Sequence, residues 1–134
     1  MRRLQPPGWP EPKGYANGIE AEGIVFTGGM IGWDETGAFP HADLAGQVGQ
    51  ALRNVVAVLT EAGAGPDDVT RLTWYITDRE DYLSHTREIG AAYRAVMGRN
   101  FPAMAVVVVS GLLEAEAKVE IEATAVLRRG GQSG

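Results

Sequence analysis

The segment from Ala103 to Val109 is apolar at every position, and its last four residues are all valine. β-Branched residues favour strands, and a strand that is apolar on both faces needs a cover on each of them. The strand-like segment that follows, Lys118 to Leu127, alternates instead, with apolar residues on one face and mostly charged residues on the other. The sequence therefore predicts a sheet with a well-defined inner face and a second face that also carries apolar residues.

Two amphipathic helices are predicted to cover the inner face. The first begins after Asp43, whose carboxylate can cap the first turn, and ends before Gly63 and Pro66. Its apolar residues recur at three- and four-residue steps: Leu44, Val48, Ala51, Leu52, Val55, Val58, Leu59 and Ala62. The second helix is expected to begin near Asp81 and to end at Gly98.

Two further segments complete the predicted sheet. Tyr15 to Thr27 is expected to turn at Gly23, and Val69 to Thr77 to form a strand with Val69 and Arg71 on one face. The order of strands, helix, strand, helix and two strands is typical of a two-layer α+β domain. Because two helices cover only one face of a sheet, the other face is expected to meet a second copy of the chain.

The length and composition indicate a single domain over residues 1–134, with a proline-rich extended arm at 1–14 and a flexible tail at 130–134. With 12 basic and 17 acidic residues, the net charge of −5 argues against nucleic acid as a partner. The chain has no cysteine and only two histidines, which argues against a metal centre. Its longest apolar run spans about half of a membrane. A cytoplasmic protein without a membrane partner is therefore expected.

Several short motifs follow one another in order along the chain: Tyr15-Ala16-Asn17-Gly18, Phe26-Thr27-Gly28-Gly29-Met30-Ile31, Ala51-Leu52-Arg53-Asn54-Val55, Ala62-Gly63-Ala64, Val69 to Asp81, Phe101-Pro102-Ala103 and Val119-Glu120-Ile121-Glu122-Ala123. Their order and spacing resemble the Rid family of reactive-intermediate deaminases, of the YjgF type. The resemblance implies a chorismate-mutase-like fold with one mixed sheet. It also implies a homotrimer whose sheets form a central barrel, with three clefts between subunits.

Members of that family typically hydrolyse enamines and imines to a keto compound and ammonia, in a cleft that needs no cofactor. Carried over residue by residue, the resemblance implies that Tyr15 closes the cleft and that Glu120 positions the attacking water. It places Gly29 and Met30 of the hairpin, and Thr86 of the second helix, among the residues that bind substrate.

The family's arginine, whose guanidinium grips the substrate carboxylate, is replaced by Met104. An arginine fork forms two charge-assisted hydrogen bonds, so its loss is expected to cost on the order of 3 kcal/mol or more in binding. Methionine at positions 30 and 104 indicates a more apolar cleft. Arg87 or Lys118 is a candidate replacement cation, although both also fit simple surface charges.

Each of these residues has a plainer interpretation. Met104 fits a core residue of its strand, Tyr15 a core residue of the hairpin, and Glu120 a solvated charge on an outward face. His85 lies on the predicted inner stripe of the second helix, where a histidine most often packs rather than reacts.

Three functions follow from these observations. The first is a Rid-like deaminase of an imine, an enamine or a related small metabolite, with substrate preference altered by Met104. The second is a trimer that binds a small molecule without catalysis, and the third is an endoribonuclease. The acidic charge and the absence of a basic patch argue against the third.

Overall fold

The structure is a computed structural model that describes residues 1–128. Its strands form one mixed sheet in the order β1-β2-β3-β7-β5-β6. Strand β4 pairs with the first half of β7, and β3 pairs with the second half. Only β5 and β6 pair in parallel. The strands are β1 Arg2–Leu4, β2 Gly18–Ala21, β3 Ile24–Thr27, β4 Met30–Ile31, β5 Val69–Ile76, β6 Ala103–Val108 and β7 Val119–Val126.

Three α-helices and one 3₁₀ turn join these strands: α1 Leu44–Thr60, the turn Pro66–Asp68, α2 Arg79–Ser84 and α3 Thr86–Met97. Asp43 caps α1 as predicted, because its carboxylate accepts a hydrogen bond from the Gly46 N–H. The predicted second helix is instead two helices, since His85 has φ −129° and ψ 29°, which is outside the helical region. The first of these two helices, α2, also begins earlier than expected, directly after its N-cap residue Asp78.

All three helices lie on one face of the sheet, so the predicted two-layer α+β architecture is confirmed. The interface is filled by residues of α1, α3 and the inner faces of β5 and β7, including Val48, Leu52, Val55, Leu59, Ile89, Met97, Leu72, Trp74, Ile76, Val119 and Ile121. The predicted position of Val69 is wrong. A β-bulge between Val69 and Arg71 shifts the register, so that Val69 is buried in the core while Arg71 is exposed.

The opposite face of the sheet has no cover within the described chain. Phe26, Val107 and Val126 are each between 40% and 50% exposed there. Strand β6 lies at the edge of the sheet, and residues 101–108 are exposed apart from Pro102 and Val106, which are half-buried. The apolar second face predicted from the sequence is therefore present, and residues 1–128 leave it uncovered.

The N-terminal segment is held against the body of the protein. Residues Arg2–Leu4, inside the predicted arm, pair with β2. The Gln5 amide donates to the carbonyls of Trp9 and Pro10 and accepts from Asn17 Nδ2, which fixes the proline-rich loop beside the hairpin. The predicted tail at 130–134 lies outside the described residues.

No helix within residues 1–128 is long and apolar enough to cross a membrane. The cytoplasmic location expected from the sequence stays a prediction.

Candidate active site

Glu120 lies where the pairing of the hairpin with β7 is interrupted. β3 pairs with β7 as far as Phe26 and Thr124, pairing resumes at Met30 and Ile121, and Gly28-Gly29 separates the two stretches. The Thr27 hydroxyl accepts the Ala123 N–H across this interruption. The Glu120 carboxyl group fills the space beside Gly29, with its Cδ only 2.6 Å from where a Cβ on Gly29 would be. Only glycine leaves room for the carboxylate there.

The environment of Glu120 favours its protonated form. Glu120 is half-buried, and desolvation together with the nearby charge of Glu122 raises the pKa of Glu120 above its ordinary value. Tyr75 lies opposite Glu120 on β5, and its hydroxyl donates to Glu122 Oε1 at 2.7 Å. That hydrogen bond is the main reason for the raised pKa of Tyr75. A carboxyl group with a raised pKa beside an open cleft is suited to exchange protons with a substrate or a water.

A cleft of about 400 Å³ opens next to Gly29. Its walls include Tyr15, which is 60% exposed, and the proline-rich loop, while Met30 is buried below them. The Asn54 amide donates to the carbonyls of Ile31 and Trp33 and so fixes the hairpin to α1. We call this surface, with Glu120 beside it, the hairpin cleft.

A second cleft, of about 210 Å³, lies between α3 and β6 and contains the other predicted positions, Thr86 and Met104. Four of its ten lining residues are aromatic. Trp74 contacts Tyr82 and Tyr93, and Tyr93 contacts Phe101. The rings of Tyr93 and Phe101 are stacked with centroids 5.6 Å apart. Met104 is 45% exposed, so its interpretation as a core residue is wrong. We call this surface the helix cleft.

A single chain does not bring the predicted site residues together. Tyr15, Gly29, Met30 and Glu120 belong to the hairpin cleft, and Thr86 and Met104 to the helix cleft. Strand β5 separates β6 from β7. Met104 and Glu120 lie on opposite faces of the sheet, because Met104 pairs with the buried Leu72 and Glu120 pairs with Tyr75 on the uncovered face. A site that uses both sets of residues needs two chains.

The plainer interpretations of Tyr15 and His85 are wrong. Tyr15 is too exposed to be a core residue of the hairpin. His85 does not pack inward, because the break between α2 and α3 turns it outward, where its Nδ1 lies 3.0 Å from Asp81 Oδ1. A hydrogen bond to the Asp81 carbonyl raises the pKa of His85.

The predicted replacement cations do not line the helix cleft, whereas Arg94 does. Lys118 Nζ is instead 3.9 Å from Asp81 Oδ2, and Arg87 is exposed on α3. The sequence contained a signal for Arg94, because Thr86, Gly90 and Arg94 are spaced four residues apart and therefore share one face of a helix. Within the described residues, no group of three His, Asp or Glu side chains is placed to hold a metal ion.

This fold and these sequence motifs are shared with one known protein family. Residues 10–127 match the family model described as Endoribonuclease L-PSP. The structure superposes on that of the YjgF gene product of Escherichia coli with a TM-score of 0.82 and 32% identity, covering 96% of this chain and 100% of that one. The chain belongs to the YjgF/Rid family, and the fold expected from the resemblance is confirmed.

Two relatives carry more specific descriptions. The chain is 34% identical over 118 residues to the 2-iminobutanoate/2-iminopropanoate deaminase of Escherichia coli K12, covering 85% of this chain and 88% of that protein. It is 33% identical over 118 residues to a RutC family protein of Pyrococcus abyssi, covering 87% and 89% respectively. Among solved structures, Escherichia coli TdcF with bound serine superposes with a TM-score of 0.82 at 28% identity, covering 96% of this chain and all of that one.

Proposed function

We propose that this protein hydrolyses a reactive imine or enamine in a cleft between two subunits of a homotrimer. The observation that carries the proposal is the Glu120 carboxyl group, which is half-buried against Gly29, a residue of the hairpin cleft wall, and has a raised pKa. The relatives of this protein include an enzyme described as a 2-iminobutanoate/2-iminopropanoate deaminase, which is 34% identical over most of both chains.

The proposed reaction adds water to a carbon–nitrogen double bond. Glu120 accepts a proton from the water as the water oxygen bonds to the imine carbon. The same proton then passes to the nitrogen and gives a carbinolamine. Glu120 next transfers the hydroxyl proton of the carbinolamine to its amino group, the carbon–nitrogen bond breaks as the C=O bond forms, and a keto compound and ammonia leave. Backbone N–H groups near the Gly28-Gly29 interruption are candidates to stabilise the charge that develops during the addition. The reaction consumes only water, so this proposal requires no cofactor.

The proposed trimer supplies what one chain lacks. The uncovered sheet face carries the exposed Phe26, Val107 and Val126, which a partner would bury. Tyr15, Gly29 and Glu120 of one subunit would then face Thr86 and Met104 of its neighbour. Association of this kind would complete the site from two halves that a single chain keeps apart.

Met104 is proposed to change substrate preference. A thioether forms no charge-assisted hydrogen bond with a carboxylate, so small imino acids lose the grip that an arginine fork would give them. The aromatic walls of the helix cleft favour a larger, apolar substituent instead.

The charges around the site argue against an endoribonuclease. Glu120 and Glu122 are adjacent on the uncovered face, and the chain has a net charge of −5. These carboxylates would repel phosphate groups. Nucleic-acid binding depends on clustered cations, which the described residues of this face do not provide. Binding of a labelled RNA at low salt would contradict this argument.

The test is hydrolysis of a panel of 2-imino acids generated in place by an amino-acid oxidase, followed as release of the keto acid above the spontaneous rate. We expect acceleration with at least one imine, and a loss of about a hundredfold in Glu120→Gln, the usual scale for removing a general base. Glu122→Gln, on the same face of the same strand, is the matched control and should retain most of the activity. No acceleration with any imine would favour a binding protein without catalysis.

A further inference from the structure

The helix cleft combines apolar walls with one charged side chain. Of its ten lining residues, Arg94 alone is charged, and four others are aromatic. A guanidinium group at an apolar cleft is suited to a ligand that carries both an apolar group and an anion. The cleft has no carboxylate in its lining to compete for that cation.

The guanidinium of Arg94 is oriented along its own helix. Its Nη1 lies 3.2 Å from where a Cβ on Gly90 would be, so the side chain folds back over the preceding turn, towards Thr86. Arg94 forms no ion pair with a carboxylate of residues 1–128. Its hydrogen-bond donors are therefore available to an anion, and glycine at position 90 leaves space for them.

The size of the helix cleft limits the apolar group. A cavity of about 150 Å³ is enough to bind benzene, so the volume of about 210 Å³ accommodates one ring and a short polar arm.

Resting on the proposed function, we propose that the helix cleft binds the side chain of an aromatic 2-imino acid and that Arg94 binds its carboxylate. Arg94 thereby supplies, from a different element, the cation that Met104 cannot. The ring packs against Tyr93, Phe101 and Met104, and the imine carbon is left at the mouth of the cleft, where a neighbouring subunit can contribute Glu120. Arg94 is a specificity-determining residue in this arrangement, and Glu120 remains the proton acceptor.

The experiment measures binding of stable product analogues by titration calorimetry with the full-length protein. The probes are phenylpyruvate, which has both ring and carboxylate, pyruvate, which lacks the ring, and phenylacetone, which lacks the carboxylate. We expect phenylpyruvate to bind at least about tenfold more tightly than either of the others. Arg94→Gln should weaken phenylpyruvate about tenfold or more without changing phenylacetone, since a charge-assisted pair is lost.

Two further variants separate a direct contact from a general effect of charge. Arg87→Gln removes the same charge from the same helix outside the cleft and should leave phenylpyruvate binding unchanged. Arg94→Lys keeps the charge but loses the fork, so it should give an intermediate affinity. Equal binding of phenylpyruvate and pyruvate, unchanged binding in Arg94→Gln, or an equal loss in Arg87→Gln would each overturn the inference.

The binding result is independent of turnover. If phenylpyruvate binding depends on Arg94 but no imine is hydrolysed, the inference stands and the proposed enzymatic function is wrong. If imines are hydrolysed with no dependence on Arg94, the proposed function stands and this inference is wrong.

Discussion

The carboxyl carbon of Glu120 lies 2.6 Å from the position that a Cβ atom would occupy on Gly29. The two residues are 91 positions apart in the chain. They meet because β3 and β4 pair with β7 on either side of the Gly28-Gly29 interruption. The glycine therefore determines where the carboxylate can be. This contact makes the proposed role of Glu120 testable without changing Glu120 itself.

Gly29→Ala should displace the Glu120 carboxylate. The backbone at Gly29 is not left-handed, so alanine is strained only by this contact. We expect hydrolysis to fall by up to about a hundredfold, the effect of misplacing a catalytic group by about 1 Å. Gly111→Ala, where a Cβ would meet open space, is the control and should keep full activity. Full activity in Gly29→Ala would contradict the assignment of Glu120.

Met104→Arg should restore a grip on small carboxylates. The wild-type protein is expected to hydrolyse 2-iminopropionate weakly or not at all, because this substrate has no ring to pack in the helix cleft and Met104 adds no charge-assisted bond to that of Arg94. Introducing a guanidinium into the same cleft should raise the rate about tenfold or more. Met104→Leu keeps the cleft apolar and should show no such gain. A wild-type rate comparable to that of an arginine-containing relative would show that Met104 does not limit substrate choice.

The proposed trimer predicts a mass of about three times 14.3 kDa by light scattering on a sizing column at micromolar concentration. Val107→Glu places a charge on the uncovered sheet face and should shift the mass towards the monomer. Leu83→Glu changes an exposed leucine of α2 on the helical side and should leave the mass unchanged. A monomer mass for the wild-type protein would exclude the proposed assembly.

The fold was predictable because its elements have strong local signals. The alternation of β7 and the spacing of apolar residues in α1 each specify one buried face, and both are as expected. The bulge next to Val69 and the break at His85 were not predicted, because each is a local change of backbone conformation that the pattern of residue types does not show.

The site was predictable only in part, for a geometric reason. The resemblance indicated which positions to consider, but the sequence does not show that they divide between two clefts. Arg94 was missed because Arg87 and Lys118 were considered without asking which arginine shares a helix face with Thr86 and Gly90, the face that lines the helix cleft. Contacts between distant elements depend on sheet order and strand register, neither of which local patterns determine.

Gln47→Leu should destabilise the fold. The Gln47 side chain is 1% exposed and joins α1 to the start of β7. Its Nε2 donates to the carbonyls of His41 and Glu116, at 3.2 and 3.0 Å, and its Oε1 accepts the Lys118 N–H at 2.8 Å. Leucine leaves these three backbone groups unpaired, so the free energy of unfolding should fall on the order of 3 kcal/mol.

The measurement for Gln47→Leu is equilibrium unfolding in urea. Gln50→Leu makes the same chemical change on the same helix but breaks only side-chain contacts, with Asn54 and Arg53. It should lower the free energy of unfolding by less than about 1 kcal/mol. Equal losses in the two variants would show that the backbone groups near Lys118 find other partners.

The raised pKa of Glu120 predicts opposite effects of pH on activity and stability. As a proton acceptor, Glu120 must be ionised, so the rate should increase with pH through a pKa above the ordinary carboxyl value. Because the folded protein binds this proton more tightly than the unfolded chain does, the stabilising contribution is complete below the unfolded pKa. It is lost as the pH rises through the folded pKa.

Glu122→Gln tests this interpretation, because the Glu122 charge is the second cause of the raised pKa of Glu120, after desolvation. The amide still accepts a hydrogen bond from Tyr75 but carries no charge, so the acidic limb of the pH–rate profile should move to lower pH. Glu120→Gln should unfold at a higher urea concentration than the wild type at pH 7 and at nearly the same concentration near pH 4. An acidic limb that stays in place in Glu122→Gln would assign the titration to another group.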